Sequence, residues 1–274
     1  MNINKSYSQL SLKEIMERHN ITARKSLGQH FLFNENLTRR IAKSSGDLSG
    51  INIIEIGAGP GGLTRSLLET KALSVVAIER DKKCIGALEE LQKYSKNRLS
   101  IIEGDALNID LINLTPHPRR IIANLPYNIA TQLLINWVKQ ANEYRGFTLM
   151  FQREVAERIT AKPNSKSYGR LSIICQWLTD ARKLFDIAPS SFFPQPSVTS
   201  SVITMETRKM PLASADINKL ELVTRLAFGQ RRKMLRRSLQ SIGGSDLLLK
   251  ANIQETFRAE ELTVEQYCDL ANAL

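Results

Sequence analysis

Cysteine and histidine are scarce in this chain. The three cysteines, Cys84, Cys175 and Cys268, are widely spaced, and the three histidines are scattered. No pair has the spacing of a zinc site, and an odd set of isolated thiols makes no disulfide framework. No metal centre is expected. Long apolar runs are missing too: nowhere do about 18 apolar residues follow one another, the length a membrane helix needs. The start, Met1 to Leu10, is polar and lacks the apolar stretch of a secretory signal. These absences predict a reduced, soluble, cytoplasmic protein without a membrane partner.

Acidic residues are also in deficit. Lys and Arg number 38 against 27 Asp and Glu, a net charge of +11. An excess of this size predicts a polyanionic partner, nucleic acid before membrane. The charge is focused. Arg225 to Arg237 holds six basic residues and no acidic one, whereas from Ser238 onward six acids face two bases. Arg231, Arg232, Lys233, Arg236 and Arg237 are therefore the expected phosphate contacts.

What is present in order is an alternation of apolar runs and amphipathic stretches. Residues 1–50 look helical and basic, with a loop at 24–29. Strands are predicted at Ile51–Ile56, Ser74–Glu79, Leu99–Glu103, Arg120–Asn124 and Gly146–Phe151. Helices are predicted at Gly62–Thr70, Lys82–Lys93, Ile129–Lys139 and near Arg153–Thr160. Such alternation predicts an α/β fold with a parallel sheet covered on both faces. Pro189 to Pro196 reads as a long aromatic and proline-rich loop, followed by a strand at Ser197–Thr207. From Asp216 the pattern is helical. The expected division is 1–50 as a basic helical part of the catalytic domain, 51–210 as a Rossmann-like domain, and 211–274 as a helical C-terminal domain.

Three motifs fall at predicted strand ends, where open α/β sheets bind ligands. Glu55-Ile56-Gly57-Ala58-Gly59-Pro60-Gly61-Gly62 follows the first strand. Its glycines allow a sharp turn and close approach to a ligand. Glu79, ending the second strand, is placed to grip ribose hydroxyls. This spelling fits NAD as well as other adenosyl cofactors, and the acidic Glu55 before the glycines leans toward S-adenosylmethionine. Asp105, after the third strand, is placed to accept from an adenine amino group, or to cap the next helix. The most informative stretch is Asn124-Leu125-Pro126-Tyr127. Tyr127 can stack on a flat base. The Asn124 side-chain oxygen and a neighbouring backbone carbonyl can accept the two hydrogens of its amine, and Pro126 has no competing N–H. A further loop, Arg24 to Leu32, reads either as an ordinary basic surface loop or as a cover for the cofactor, with His30 donating to a carboxylate and Leu32 giving apolar contact.

Together these segments resemble the KsgA/RsmA family of ribosomal RNA adenine dimethyltransferases. The matching stretches are Gly28–Leu32, Glu55–Thr64, Glu79, Gly104–Ala106, Asn124–Asn128, Gln152–Arg158, Tyr168–Arg170, Phe192–Ser200 and Phe228–Leu239. Many members carry Asn where this chain has His30, and others carry His. The resemblance implies a class I methyltransferase domain with a small all-helical C-terminal domain. It implies S-adenosylmethionine-dependent dimethylation of two adjacent adenosines in the 3′-terminal hairpin loop of small-subunit rRNA, in small-subunit biogenesis. It implies His30, Leu32, Gly57, Gly59, Glu79, Asp105 and Asn124 as cofactor contacts. Asn124 and Tyr127 would face the target base, with Phe192 packing it from the other side. A monomer acting on rRNA within the small subunit or its precursor is expected. The rivals are a macrolide-resistance type 23S rRNA adenine methyltransferase and a non-catalytic assembly factor. The second would be marked by a damaged glycine loop, which is intact here. An NAD dehydrogenase would leave the Asn124–Tyr127 stretch unexplained.

Overall fold

The structure, a computed structural model, describes residues 10–274. The part of the N-terminal helical expectation that falls on residues 1–9 lies outside the described residues. Two compact units emerge from the chain. One gathers the residues up to Leu134 with Glu143–Arg153 and Lys183–Met205; the other gathers Ile135–Asn142, Glu154–Arg182 and Glu206–Leu274.

The first unit is built on strands, the central ones buried along nearly their whole length and the outer ones partly exposed. β1 is Phe31–Leu32, β2 Asn52–Ile56, β3 Ser74–Glu79, β4 Leu99–Glu103, β5 Arg119–Asn124, β6 Gly146–Gln152, β7 Thr179–Ile187, β8 Phe192–Phe193 and β9 Ser200–Thr207. Seven of them form one sheet in the order β4-β3-β2-β5-β6-β9-β7. β2 runs parallel to both β3 and β5, so the strand order reverses beside it. Every residue of β2 is buried, as a strand covered on both faces requires. Fully enclosed side chains such as Ile53 and Ile54 contribute about 1.5–3 kcal/mol each.

Helices start where the sequence offers caps. α1, Leu12–Arg18, opens on a Ser11–Glu14 capping box. α2 is Glu35–Lys43 and α3 is Gly62–Leu68, entered through Gly61 at φ +90°. α4, Lys82–Gln92, is capped by Asp81, whose side chain accepts the Lys83 N–H. α5 runs Tyr127–Val138, so Tyr127 opens the helix two residues earlier than the pattern placed it.

Two departures stand out. α7, Arg170–Leu178, and strand β7 occupy a stretch in which no element is expected from the sequence, apart from the preceding α6 at Arg153–Ile159. The proline-rich loop holds a short 3-10 turn at Pro189–Ser191 and then β8, which pairs antiparallel with β1.

The second unit contains α8 at Ile217–Gly229, α9 at Leu235–Ser238, α10 at Gly244–Lys250 and α11 at Val264–Ala273. Its centre is an aromatic file. Tyr168 meets the edge of Phe228 at 6.2 Å, and Phe228 stacks on Tyr267 at 5.8 Å. Tyr168 and Phe228, both in segments that carry the family resemblance, are thus packing residues.

Candidate active site

A cleft open to solvent lies at the C-terminal ends of β2, β3 and β5. The sheet order dictates its place: where neighbouring strands diverge, their exit loops splay apart. His30, Leu32, Gly57, Gly59, Glu79, Asp105, Asn124 and Tyr127 all line it. Residues from Gly28 to Tyr127 are thereby brought to one hollow, as the sequence placed them.

The floor is the glycine loop. Gly57 and Gly59 have φ of +68° and +56°, and a Cβ on Gly59 would come within 3.1 Å of the Phe31 ring. A side chain there is both strained and obstructed. A Cβ on Gly57 would lie 3.7 Å from the Asn124 carbonyl, so this loop rests against the Asn124–Tyr127 turn. Glu79 is 6% exposed and its carboxylate is fixed by backbone donors. The Gly59 N–H donates to Oε2 at 2.7 Å, and the Arg80 and Asp81 N–H groups donate to Oε1 at 2.8 and 2.9 Å. Burial raises its pKa, and these three N–H groups oppose the shift. One acceptor site, on Oε2, remains for a hydroxyl. Asp105 accepts from the Leu107 N–H at 3.1 Å and from Arg80 at 3.2 Å, which holds it at the rim. Glu55, also in the cleft wall, is 2% exposed, and its Oε2 makes no hydrogen bond among the described residues. Burial pushes its pKa up to about 8.

The residues therefore suit S-adenosylmethionine. A glycine cradle would take the cofactor's close approach, with Glu79 placed for ribose hydroxyls and Asp105 for the base. When bound, S-adenosylmethionine supplies an activated methyl group on its sulfonium.

The substrate side is built on the exit of β5. The Asn124 amide donates through Nδ2 to the His30 carbonyl at 3.0 Å. This leaves Oδ1 as the free acceptor. Tyr127 shares a 2.5 Å hydrogen bond with Ser200 Oγ, and one face of its ring stacks on His30 at 5.6 Å. His30 Nδ1 lies 2.6 Å from the Pro194 carbonyl. A carbonyl only accepts, so Nδ1 carries the hydrogen and Nε2 of the neutral ring is an acceptor. The expected donation from His30 to a carboxylate thus requires the protonated ring.

Phe192 behaves differently from the expectation. It is 5% exposed, packs in the core cluster, and is not among the residues lining the cleft. Pairing of Phe192 with Leu32 across β8 and β1 explains this, since it turns the ring toward the buried side of the ribbon. The exposed ring of β8 is Phe193, which stacks on Phe33 at 5.5 Å. Gln29, Asp81 and Ser200 went unassigned from the sequence; only the position of Asp81 ahead of α4 carried a local signal, that of a helix cap.

The basic run divides in two. Arg231 pairs with Glu260 at 3.1 Å and also donates to the Lys166 and Ser165 carbonyls. Arg236 pairs with Glu255 at 2.8 Å. Arg232, Lys233 and Arg237 are exposed and have no ion pair among the described residues. Arg225, Lys233 and Arg237 line one open groove of the second unit.

No helix of the described residues is long and apolar enough to cross a membrane. Among them no His, Cys, Asp and Glu group is arranged to hold a metal ion.

The profile of the family described as "Ribosomal RNA adenine dimethylase" matches residues 20–274. The "Ribosomal RNA small subunit methyltransferase A" of Paramagnetospirillum magneticum is 52% identical over 264 residues, covering 96% of this chain and 94% of that one. Its namesake in Sinorhizobium medicae is 50% identical over 266 residues, covering 96% and 97%. Among solved structures, a dimethyladenosine transferase from Plasmodium falciparum aligns with a TM-score of 0.79 at 24% identity, over 88% of this chain and 96% of that one. The 23S rRNA methyltransferase ErmE aligns at 0.71 and 22%, over 89% and 99%. Both share the class I methyltransferase fold. With the cradle intact and the match spanning nearly the whole length, the chain belongs to the ribosomal RNA adenine dimethylase family and is an S-adenosylmethionine-dependent rRNA adenine dimethyltransferase.

Proposed function

We propose that this enzyme dimethylates the 6-amino groups of two adjacent adenosines in the 3′-terminal hairpin loop of small-subunit (16S) rRNA, as a monomer acting during small-subunit biogenesis. The names of the relatives at about half identity support the small-subunit substrate. The observation that carries the chemistry is the orientation of Asn124, whose Nδ2 is tied to the His30 carbonyl.

An aromatic amine is a weak nucleophile because its lone pair is delocalised into the ring. Asn124 Oδ1 and the carbonyl near Leu125 and Pro126 accept the two amine hydrogens and favour a pyramidal nitrogen, its lone pair turned out of the ring plane. Tyr127 offers the base its face away from His30, which compensates for stacking lost when the base leaves its strand. Asn124 is neutral, so it positions the amine and does not take the proton. The proton leaves after transfer, when the nitrogen is cationic. Phe192 supports the β1–β8 ribbon beside the cleft; facing the base would require its ring to leave the core. Residues 211–274 form the helical RNA-binding part, and Arg232, Lys233 and Arg237 meet phosphates there.

Asn124→Ala tests the reading. Single-turnover methyl incorporation on small-subunit particles should fall by about two to three orders of magnitude, the scale for losing one preorganised polar contact. RNA affinity should hold, because phosphate contacts dominate it. A near wild-type rate would remove Asn124 from the site. Mass spectrometry of both rRNAs from cells lacking the enzyme locates the substrate. Loss of methyl groups from large-subunit rRNA alone would sink the small-subunit assignment.

A further inference from the structure

We infer that Gln29 is a positioning residue that aims Asn124 by anchoring the loop before it to Asp81, an inference that rests on the reading of Asn124 given above. Gln29 binds two groups at once. Its Oε1 accepts the Arg24 N–H at 2.8 Å, and its Nε2 donates to Asp81 Oδ2 at 3.0 Å. The Gln29 N–H also reaches back to the Arg24 carbonyl at 3.5 Å. The turn from Arg24 to Gln29 is thus closed on itself and tied down at one point. That point is rigid. Asp81 is 1% exposed, caps α4 through Oδ1, and donates its own N–H to Glu79. Arg24 Nε stands 3.7 Å from Asp81 Oδ2 and adds a charge contact.

The residue after Gln29 is His30, whose carbonyl accepts from Asn124. A carboxamide has two ends of nearly equal size, and only its partners decide which faces the substrate. The His30 carbonyl makes that decision, and Gln29 fixes where the carbonyl sits. The path from Asp81 through Gln29 and His30 to Asn124 therefore joins the two sides of the cleft. The Glu79-Arg80-Asp81 step holds both the ribose-facing carboxylate and the anchor of the substrate-facing amide. Without the anchor, a small shift of the His30 carbonyl lets the amide turn its NH₂ toward an amine that needs an acceptor.

The test is a pair of cycles. Gln29→Ala should slow single-turnover methyl transfer about 10–100-fold, the scale for a misplaced reacting group, while cofactor Kd by calorimetry changes less than about threefold. In an Asn124→Ala background the same change should cost under about twofold, because a residue acting through Asn124 has nothing left to aim. Exchanging the pair, Gln29→Glu with Asp81→Asn, swaps donor and acceptor across one hydrogen bond and keeps an N-cap at residue 81. It should restore most of the rate. Hydrogen exchange of residues 24–32 in the cofactor-free protein should be faster in Gln29→Ala and return to wild type in the swapped pair. A wild-type rate for Gln29→Ala overturns the inference. So does an equal cost in the Asn124→Ala background, or a swapped pair no faster than Gln29→Ala. A wild-type rate for Asn124→Ala alone defeats the base-holding reading instead, with no change made at Gln29; exchange in residues 24–32 then decides whether Gln29 anchors the loop.

Discussion

The cleft at the strand ends and the basic groove of the second unit use charged side chains in opposite ways. In the cleft, Glu55 and Glu79 are 2% and 6% exposed, and backbone geometry dictates where they point. In the basic run around the groove, Arg232, Lys233 and Arg237 stand in solvent, whereas Arg231 and Arg236 are held by partners distant in sequence. Arg231 and Arg232 are neighbours in sequence. One is taken by Glu260 and two carbonyls, while the other is free of ion pairs among the described residues. A buried carboxylate at a strand end has few possible functions, whereas an exposed arginine has several. The difference is open to direct attack at four points.

The largest effect concerns Glu55. Burial pushes its pKa from an ordinary 4.5 up to about 8. Between those values the folded protein keeps a proton that the unfolded chain has lost. Its stabilising contribution is complete below about pH 4.5 and is lost as pH rises through about 8. Glu55→Gln keeps the shape of the neutral acid. In cofactor-free protein the variant should match wild type near pH 4 and exceed it by on the order of a few kcal/mol near pH 9. Urea midpoints at the two pH values measure this. A gap that does not widen with pH would mean that Glu55 is not held neutral.

Next comes Glu79. Glu79→Ala leaves three backbone donors without their acceptor and removes the carboxylate proposed to hold the ribose. S-adenosylmethionine affinity should fall by ~1–3 kcal/mol, read by calorimetry. Unchanged affinity would show that the glycine cradle alone holds the cofactor.

This contrast also explains what was legible in advance. Strands β3 and β4 were legible to the residue, because apolar runs ending at Glu79 and Glu103 are bounded by polar turns. The glycine loop and Asn124–Tyr127 were legible because each is a local spelling with one backbone solution. β7 was not: Thr179–Ile187 carries Arg182 and Lys183 on a largely exposed strand, which hides the alternation. The burial of Phe192 was hidden as well, since it follows from pairing with Leu32, 160 positions earlier in the chain. Gln29 and Asp81 lie 52 residues apart and Arg231 and Glu260 lie 29 apart, so no local pattern announced either contact.

The basic run supplies the third prediction. Replacing Arg232, Lys233 and Arg237 by Gln should weaken particle binding and lower the slope of log K against log salt by about 2–3, as phosphate contacts are lost. Melting should hardly change. Arg231→Gln should do the reverse, keeping the slope and lowering stability by ~1 kcal/mol. Equal slopes for the two variants would erase the division between bound and free cations.

The smallest effect is expected at Tyr127, where the cleft relies on a side-chain pin as the groove does. Its hydroxyl is tied to Ser200 at 2.5 Å, and burial raises its pKa, so it stays a neutral phenol at physiological pH. Tyr127→Phe removes that single hydrogen bond and leaves the ring, the His30 stack and the start of α5 in place. Stability should drop by ~1 kcal/mol, the net worth of one such bond, and Ser200→Ala should drop it by a similar amount. The single-turnover rate should stay within about threefold of wild type, since stacking needs the ring and not the hydroxyl. Tyr127→Ala, which loses the ring, should be far slower on the same particles. If Tyr127→Phe is as slow as Tyr127→Ala, the hydroxyl itself acts on the substrate. The cleft would then resemble the groove, with its working group set by a side-chain polar atom rather than by the backbone.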